Sequence, residues 1–302
     1  MTFAHHSSGR PVPTNWSFVP DPVLEPLTEI CSTHGSSEAA DAPSVVRDSR
    51  RGQFVRDQLI DGVRLGFVGS GDSHDGHPGL AHLSPQAGWS RRDQGERAGR
   101  GGLTAILTDD VSREGVLAAL RARRTWATSG PRILMIARLG GELGGSVVPA
   151  QNAPMLKLVA HGTTAIAAID LIRNGDVFPI NAGERRTGID AEMPLKAVEA
   201  GDVLYLRLRQ TDGAFAYAGP WFVECPGLDP SRECAMRGSG WMRFRGSGNA
   251  EPRRTRWALG WLVPGRTSRP TWRGLDLRRT SVHGPPGSGP RPSPRTEPRP
   301  PP

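Results

Sequence analysis

The sequence has few cysteines and no long apolar run. Its three cysteines, Cys31, Cys225 and Cys234, form no CxxC pair and leave an odd thiol over, which argues against a disulfide framework and against a zinc ribbon. No apolar stretch approaches the roughly 18 residues that a membrane-spanning helix needs, and the first residues lack the basic-then-apolar pattern of a secretory signal. We therefore expect a chain that works in a reducing, cytoplasmic compartment without a membrane partner.

Lysine is absent from residues 226–302, although this segment has 15 arginines, 5 acidic residues and hence a net charge of +10. Because the whole chain carries +8, residues 1–225 carry −2. The segment also holds 14 of the 28 prolines, more than a packed domain of that size is expected to need. The composition therefore predicts a disordered Arg/Pro/Gly-rich tail over residues 226–302.

Aromatic residues in this tail leave a second interpretation open. Four tryptophans lie among its arginines and could stack on nucleic-acid bases: Trp241, Trp257, Trp261 and Trp272. No recognition motif accompanies the charge, so we do not expect a nucleic-acid partner and keep weak binding through the tail only as an alternative.

Residues 1–130 read as alternating strands and helices. A helix is expected over residues 49–62, a strand over 64–68, another strand over 103–108, and a helix that Ser112 caps at its N-terminus. Polar motifs follow the strands at their C-terminal ends. This alternation indicates an α/β layer or barrel whose site lies on that face.

Residues 131–225 have the period of strands. Apolar runs at 132–139, 155–161, 165–173 and 203–210 are strand-like, and the last alternates leucines with tyrosine and arginine. Asn174-Gly175 is a strong hairpin signal between two of these runs. The pattern predicts a small antiparallel β-sandwich as the second domain.

The stretch Gly69–Gly79 is the most informative motif of the chain. It follows a short apolar run and contains Asp72 and His74, which would point to the same face of an extended segment and could reach ions in one pocket. A glycine-rich polar loop in which Asp72 only caps a turn is the alternative.

Histidines recur at the ends of two earlier segments. His5 and His6 lie near the first residue, and His34 follows the apolar strand that begins at Leu27. Taken singly, His5 and His6 could belong to a solvated terminus and His34 could pack in a loop. Their recurrence at strand ends makes His5, His6, His34, Asp72 and His74 the candidate metal ligands.

Four stretches of the sequence together resemble a known family. They are Ala4-His5-His6-Ser7, the run from Glu29 to Glu38, the run from Gly66 to His74 with His77-Pro78-Gly79, and the run from Arg123 to Ile133. In this order they are similar to motifs of the PHP-like (polymerase and histidinol phosphatase) metallohydrolases with a C-terminal β-sandwich, a branch that includes carbamate hydrolases. The resemblance covers about residues 3–225.

This resemblance implies a distorted (βα)7 barrel with two or three divalent ions, Zn, Mn or Fe, at its C-terminal strand face. It also implies hydrolysis of a small phosphoester, ester or carbamate substrate by metal-bound hydroxide. Within the family pattern, His5 or His6 matches the first of the later histidines, His34 the second, and Asp72 with His74 the final pair.

The earlier part of the family pattern, a His-x-His pair and a bridging Glu, has no counterpart here. The resemblance therefore implies the C-terminal part of a hydrolase with incompletely coordinated ions and impaired activity. The alternative is a non-catalytic β-sandwich module. The oligomeric state stays open.

Overall fold

The computed structural model describes residues 1–9, 13–72, 101–180 and 186–225, and the backbone of residues 258–261. Sixteen β-strands and two α-helices lie in these ranges. The helices are α1 (Val55–Ile60) and α2 (Arg113–Arg121). The strands are β1 (Phe3–Ala4), β2 (Leu27–Ser32), β3 (Gly35–Ser36), β4 (Gly66–Gly69), β5 (Leu103–Thr108), β6 (Thr125–Thr128), β7 (Leu134–Leu139), β8 (Glu142–Leu143), β9 (Val147–Pro149), β10 (Met155–His161), β11 (Ile166–Arg173), β12 (Asp176–Ile180), β13 (Gly188–Pro194), β14 (Val203–Gln210), β15 (Phe215–Glu224) and β16 (Ala258–Trp261).

The strands form three sheets. A large sheet has the order β12-β11-β14-β15-β6-β5-β16, with β9 paired to β15, and a four-stranded sheet has the order β13-β10-β7-β8. The third sheet is small: β2 pairs with β1 and β4 in parallel and with β3 antiparallel. Most other pairings are antiparallel, so the described fold is dominated by antiparallel β-structure.

The large sheet lies between the other two. Along β14, Leu204, Leu206 and Leu208 pack into one apolar core with residues of the four-stranded sheet. Val203 and Tyr205, whose side chains point to the other face, pack into a second core with β2, β4 and α1. Because neighbouring side chains of a strand point to opposite faces, both faces of this sheet are buried.

The prediction of a distorted (βα)7 barrel is wrong. Within the described ranges, β5 does not continue the parallel β1-β2-β4 sheet but pairs antiparallel with β6, Ala105 lying opposite Trp126. Only two α-helices occur in the same ranges, fewer than the regular alternation requires. The apolar pattern marked Leu103–Thr108 correctly as a strand, but it carries no information on the direction or partner of that strand.

Several local predictions are confirmed. Ser112 caps α2, since its side chain accepts a hydrogen bond from the backbone N–H of Gly115 at 3.1 Å. Asn174 and Gly175 both have positive φ, 50° and 92°, and join β11 to β12 as a hairpin. Helix α1 begins later than predicted, because Gly52 adopts the left-handed φ of 78° and Asp57 accepts a hydrogen bond from the N–H of Phe54.

The division of the chain at residues 130 and 225 stays a prediction. Strands β5 and β6 precede residue 130 and share the large sheet with strands that follow it. The proposed disorder of residues 226–302 falls outside the described residues, except that β16 pairs antiparallel with β5. Among the described helices, neither has the length and apolar character of a membrane span.

A buried carboxylate connects the small sheet to the large one. Glu38 follows β3 and is fully buried, and its carboxylate accepts hydrogen bonds from Arg56 of α1 and Arg207 of β14. The hydroxyl of Tyr205 also donates to it. Two cations and a hydroxyl therefore neutralise and solvate a group that would otherwise be costly to bury.

A second acidic residue completes the environment of Arg207. Asp170 lies opposite Arg207 in the β11–β14 pairing, and its Oδ2 is 3.1 Å from the Nη2 of that arginine. Arg207 has only 5% of its side chain exposed. The charged groups between the sheets are thus held in a fixed arrangement by several partners.

We predict that Glu38→Gln destabilises the protein by about 3–5 kcal/mol, because the substitution removes the negative charge between two cations that stay buried. Urea unfolding at neutral pH measures this difference in the free energy of unfolding.

The matched control is Glu192→Gln. Glu192 pairs with Lys157 at 3.0 Å on the surface, where about half of each side chain is exposed. That change should cost less than about 1 kcal/mol. Equal losses for the two variants would show that the Glu38 network does not hold the layers together.

Candidate metal centre

The candidate ligands lie at the C-terminal ends of the three parallel strands. His5 and His6 follow β1, His34 follows β2, and Asp72 follows β4. Since parallel strands end at the same edge of a sheet, residues far apart in the sequence meet there. The small sheet thus positions the cluster although its strands are short.

Three of the side chains in this cluster are mutually within ligand distance, and His34 lies next to one of them, Asp72. The Nε2 of His34 lies 2.8 Å from the Oδ2 of Asp72, and the Nε2 of His5 lies 3.5 Å from the same oxygen. His5, His6 and Asp72 each offer a ligand atom, and these atoms lie within 4.8 Å of one another. The ring of His6 is centred 3.8 Å from that of His5 and 5.7 Å from that of His34.

Glu29 contacts the histidine cluster, although the sequence patterns did not single it out. It lies inside β2 with its side chain 5% exposed, and its Oε2 is 2.9 Å from the Nδ1 of His5. Its carboxylate also accepts hydrogen bonds from the backbone N–H of His6 at 3.1 Å and from the hydroxyl of Ser70. A charged residue within a buried strand was the signal that could have revealed it.

Glu29 orients the imidazole of His5. A carboxylate only accepts hydrogen bonds, so the Nδ1 of His5 carries a proton toward Glu29, and in the neutral ring Nε2 has the lone pair that a metal would need. This is the arrangement by which carboxylates orient metal-binding histidines.

Two adjacent histidines of the cluster have opposite pKa shifts. The hydrogen bond to Glu29 raises the pKa of His5 above its usual value. Burial, and then the charge of neighbouring His5, lowers the pKa of His6. The neutral form of His6, which can bind a metal, is therefore favoured.

The backbone is unusual at two of the four positions. His6 has φ 27° and Asp72 has φ 46°, both in the left-handed region that L residues seldom adopt. In addition, the Nδ1 of His6 is buried and has no hydrogen-bond partner among the described residues. Such strain is characteristic of functional sites, where surrounding contacts hold a side chain in a required direction.

The structure brings together four of the five sequence-predicted ligands, and both His5 and His6 are among them. The fifth, His74, lies outside the described residues. His161 is exposed at the end of β10, in the four-stranded sheet. The function of the four as metal ligands stays a prediction.

The donor set of the cluster is nitrogen and oxygen. The nearby Cys31 is fully buried in β2 and its thiol donates to the carbonyl of Thr128 at 3.4 Å. Burial, and then the charge of Glu29, raises the pKa of this thiol, which disfavours the thiolate that a metal needs. Imidazole with carboxylate suits Zn, Mn or Fe.

We predict that the pKa of His5 in the metal-free protein lies above its usual value of about 6.5 and that Glu29→Gln lowers it. A raised pKa means that the His5–Glu29 pair stabilises the fold fully below about pH 6.5, and that this contribution is lost as the pH rises through the raised pKa. An NMR titration of the imidazole resonances in the presence of a chelator measures both values.

Glu25→Gln is the control, because it removes the same charge from a partly exposed carboxylate whose hydrogen-bond partners, among the described residues, are Thr2 and Asp21. It should leave the pKa of His5 unchanged. A His5 pKa that is equal in the wild type and in Glu29→Gln would contradict the assigned role of Glu29.

Comparison with known proteins places the chain near proteins without an assigned function. Residues 44–162 match the family described as "Protein of unknown function (DUF3604)". An uncharacterised protein of Chlamydia pneumoniae is 31% identical over 228 residues, and uncharacterised proteins of Chlamydia trachomatis serovar D and Chlamydia muridarum are 28% and 26% identical. Each alignment covers 67% of this chain but 35% of the relative, so the chain spans about a third of the length of these relatives. No solved structure matches the chain.

These matches correct the family resemblance drawn from the motifs. The chain is similar to DUF3604 and to the chlamydial proteins, and neither the comparisons nor the antiparallel β-fold supports a PHP-like metallohydrolase. The motifs suggested the wrong family because histidines at successive strand ends meet at the edge of three parallel strands just as they would at the end of a barrel. At the level that the comparisons support, this chain is a β-rich module of unassigned activity.

Proposed function

We propose that this chain is a β-rich module that binds one divalent transition-metal ion through His5, His6, His34 and Asp72. The proposal rests on one observation, the convergence of imidazole nitrogens on the carboxylate of Asp72. The Nε2 atoms of His34 and His5 lie 2.8 and 3.5 Å from the same oxygen of Asp72, a spacing that either protonated rings or one shared cation stabilises.

The spacing of the donors fits a four-coordinate ion. Donors that lie about 2.0–2.1 Å from a tetrahedral zinc are about 3.3 Å from one another. The separation between Asp72 and His5 is 3.5 Å, and that between Asp72 and His34 is 2.8 Å. Only small side-chain movements would therefore be needed to admit the ion.

Four protein donors favour a role in binding over a role in turnover. Catalytic zinc sites retain a position for water or substrate, whereas structural sites have all four positions filled by protein. We infer that the ion stabilises the strand ends and is not a reaction centre of this module. The proposal concerns this module alone, since the alignment covers 35% of the relative's length.

Support also comes from the surroundings of the cluster. Glu29 holds His5 in the tautomer that exposes Nε2, and the neutral form of His6 is favoured by burial. A fixed tautomer and a neutral ring both favour binding of a cation, whereas the raised pKa of His5 means that a cation has to displace a proton there.

We predict that the chain binds about one equivalent of Zn²⁺ with saturation, and that His34→Gln and Asp72→Asn each weaken the affinity by at least about tenfold, because each removes a donor. Calorimetric titration of the chelator-treated full chain, with metal analysis of the dialysed protein, measures stoichiometry and affinity.

His161→Gln is the matched control, since it removes an exposed histidine outside the cluster. Its affinity should equal that of the wild type. Equal weakening by His161→Gln and His34→Gln, or the absence of saturable binding, would contradict the proposal. Asp72→Asn keeps the shape of the side chain, so circular dichroism of this variant separates a loss of ligand from a loss of fold.

A further inference from the structure

A second charged site lies at the opposite end of β4 from Asp72. Arg64 precedes β4 and Arg123 precedes β6, and both guanidinium groups lie against the ring of Phe222, at 5.7 and 5.9 Å from its centroid. The strand separates this pair from the histidine cluster. The pair therefore needs its own explanation, independent of the proposed metal site.

The fold holds Arg123 in a costly conformation. It follows the last turn of α2 with φ 57°, at a position where helices commonly have glycine because the left-handed region disfavours a side chain. Two glycines make room for its stem: a Cβ on Gly66 would lie 2.8 Å from the Cβ of Arg123, and one on Gly145 would lie 2.5 Å from the same atom. An arginine retained under these constraints indicates a use for its charged end.

The charges at this site are not balanced. Arg64 forms an ion pair with Glu224 at the end of β15. Arg123 donates only from Nε, to the carbonyl of Arg64 at 3.2 Å, and its two terminal nitrogens have no partner among the described residues. Burial, and then the charges of Arg64 and Arg124, lowers the pKa of Arg123 to about 10. Among the described residues, Glu224 is thus the carboxylate paired at Arg64 and Arg123, while Glu142 acts on the neighbouring Arg124.

Arg124 does not compete for the same ligand. Its Nη1 donates to the carbonyls of Leu143 and Gly144 and to the hydroxyl of Ser146, the last two at 2.7 and 2.9 Å. Arg124 thus binds the segment that connects β8 to β9. Within the described ranges, the terminal nitrogens of Arg123 are the ones at this site without a hydrogen-bond partner.

We propose that Arg123, with Arg64 beside it, binds a phosphate-type oxyanion at this end of the sheet. The planar fork of a guanidinium matches two oxygens of a phosphate, and a second guanidinium adds a nearby positive charge. Glu224 acts as an internal competitor, because it holds Arg64 when the anion is absent.

The experiment is an NMR titration of the full chain with inorganic phosphate and, in a second arm, with glycerol phosphate, both at constant ionic strength. Saturable shifts of the backbone amides near residues 64, 123 and 222 are expected. Binding in either arm supports the proposal, and the tighter arm distinguishes free phosphate from a phosphate ester as the source.

Four variants test the assignment. Arg123→Met should weaken binding by at least about tenfold, because it removes a charge-assisted hydrogen-bonded pair. Arg123→Lys retains the stem and the charge without the fork and should weaken it less. Glu224→Gln should strengthen binding by freeing Arg64, whereas Arg121→Met, which removes an exposed arginine from the same helix, should leave it unchanged.

The proposal is overturned if neither anion gives saturable shifts, if Arg121→Met weakens binding as much as Arg123→Met, or if Arg123→Lys binds as tightly as the wild type. Chelator-treated, metal-free protein should bind the anion as well as untreated protein does. Failure of the zinc proposal would therefore not affect this result.

Discussion

The described structure depends on one buried charge, the carboxylate of Glu38 between Arg56 and Arg207. It joins the small parallel sheet and α1 to strand β14 of the large sheet, across an interface that also contains apolar and aromatic contacts, an ion pair between Asp41 and Arg207 and a hydrogen bond between Ser36 and Tyr217. Hydrophobic packing alone tolerates sliding of one layer over another, because apolar contacts have no direction. A carboxylate with fixed hydrogen-bonding partners specifies the position of one layer relative to the other. The strand ends that carry the histidines are thereby held in a defined position relative to the large sheet.

Two buried glutamates, nine residues apart, have different roles because their neighbours differ. Glu38 faces guanidinium groups, which stay charged at any physiological pH, so it forms a permanent connection. Glu29 faces an imidazole, a backbone N–H and a hydroxyl, and of these groups the imidazole titrates near neutral pH. The first environment stabilises the fold, and the second lies beside the metal site that we propose.

The central sheet explains why such a small parallel sheet can carry a site. A strand as short as β4 would not be stable alone, but β2 and β4 pack against Tyr205, Tyr217 and Phe215 of the large sheet. The hydroxyl of Tyr217 bonds Ser36 at 2.8 Å, which also fixes the turn between β2 and α1. The rigidity of the cluster therefore comes from residues more than 130 positions away in the sequence.

Local sequence chemistry determined much of the secondary structure. The cap at Ser112, the hairpin at Asn174-Gly175 and the strand Val203–Gln210 each follow from interactions among neighbouring residues, and the structure has them where the sequence indicated. Histidines after successive apolar segments likewise pointed to one meeting place, because that inference needs only strand ends on a common edge. The roles of the clustered residues are proposals that the sequence pattern alone did not establish.

Strand direction and partner were decided by tertiary structure alone. Nothing local in Leu103–Thr108 distinguishes a parallel neighbour of β4 from an antiparallel neighbour of β6, so the expected barrel was wrong. The alternation along β14 could not reveal that both of its faces are buried, and the positions of Glu29 and Arg123 depend on contacts with distant segments. The sequence thus determined which segments form strands and turns, whereas long-range packing decided how they are arranged, because the energy of pairing and burial resides in contacts that no short stretch contains.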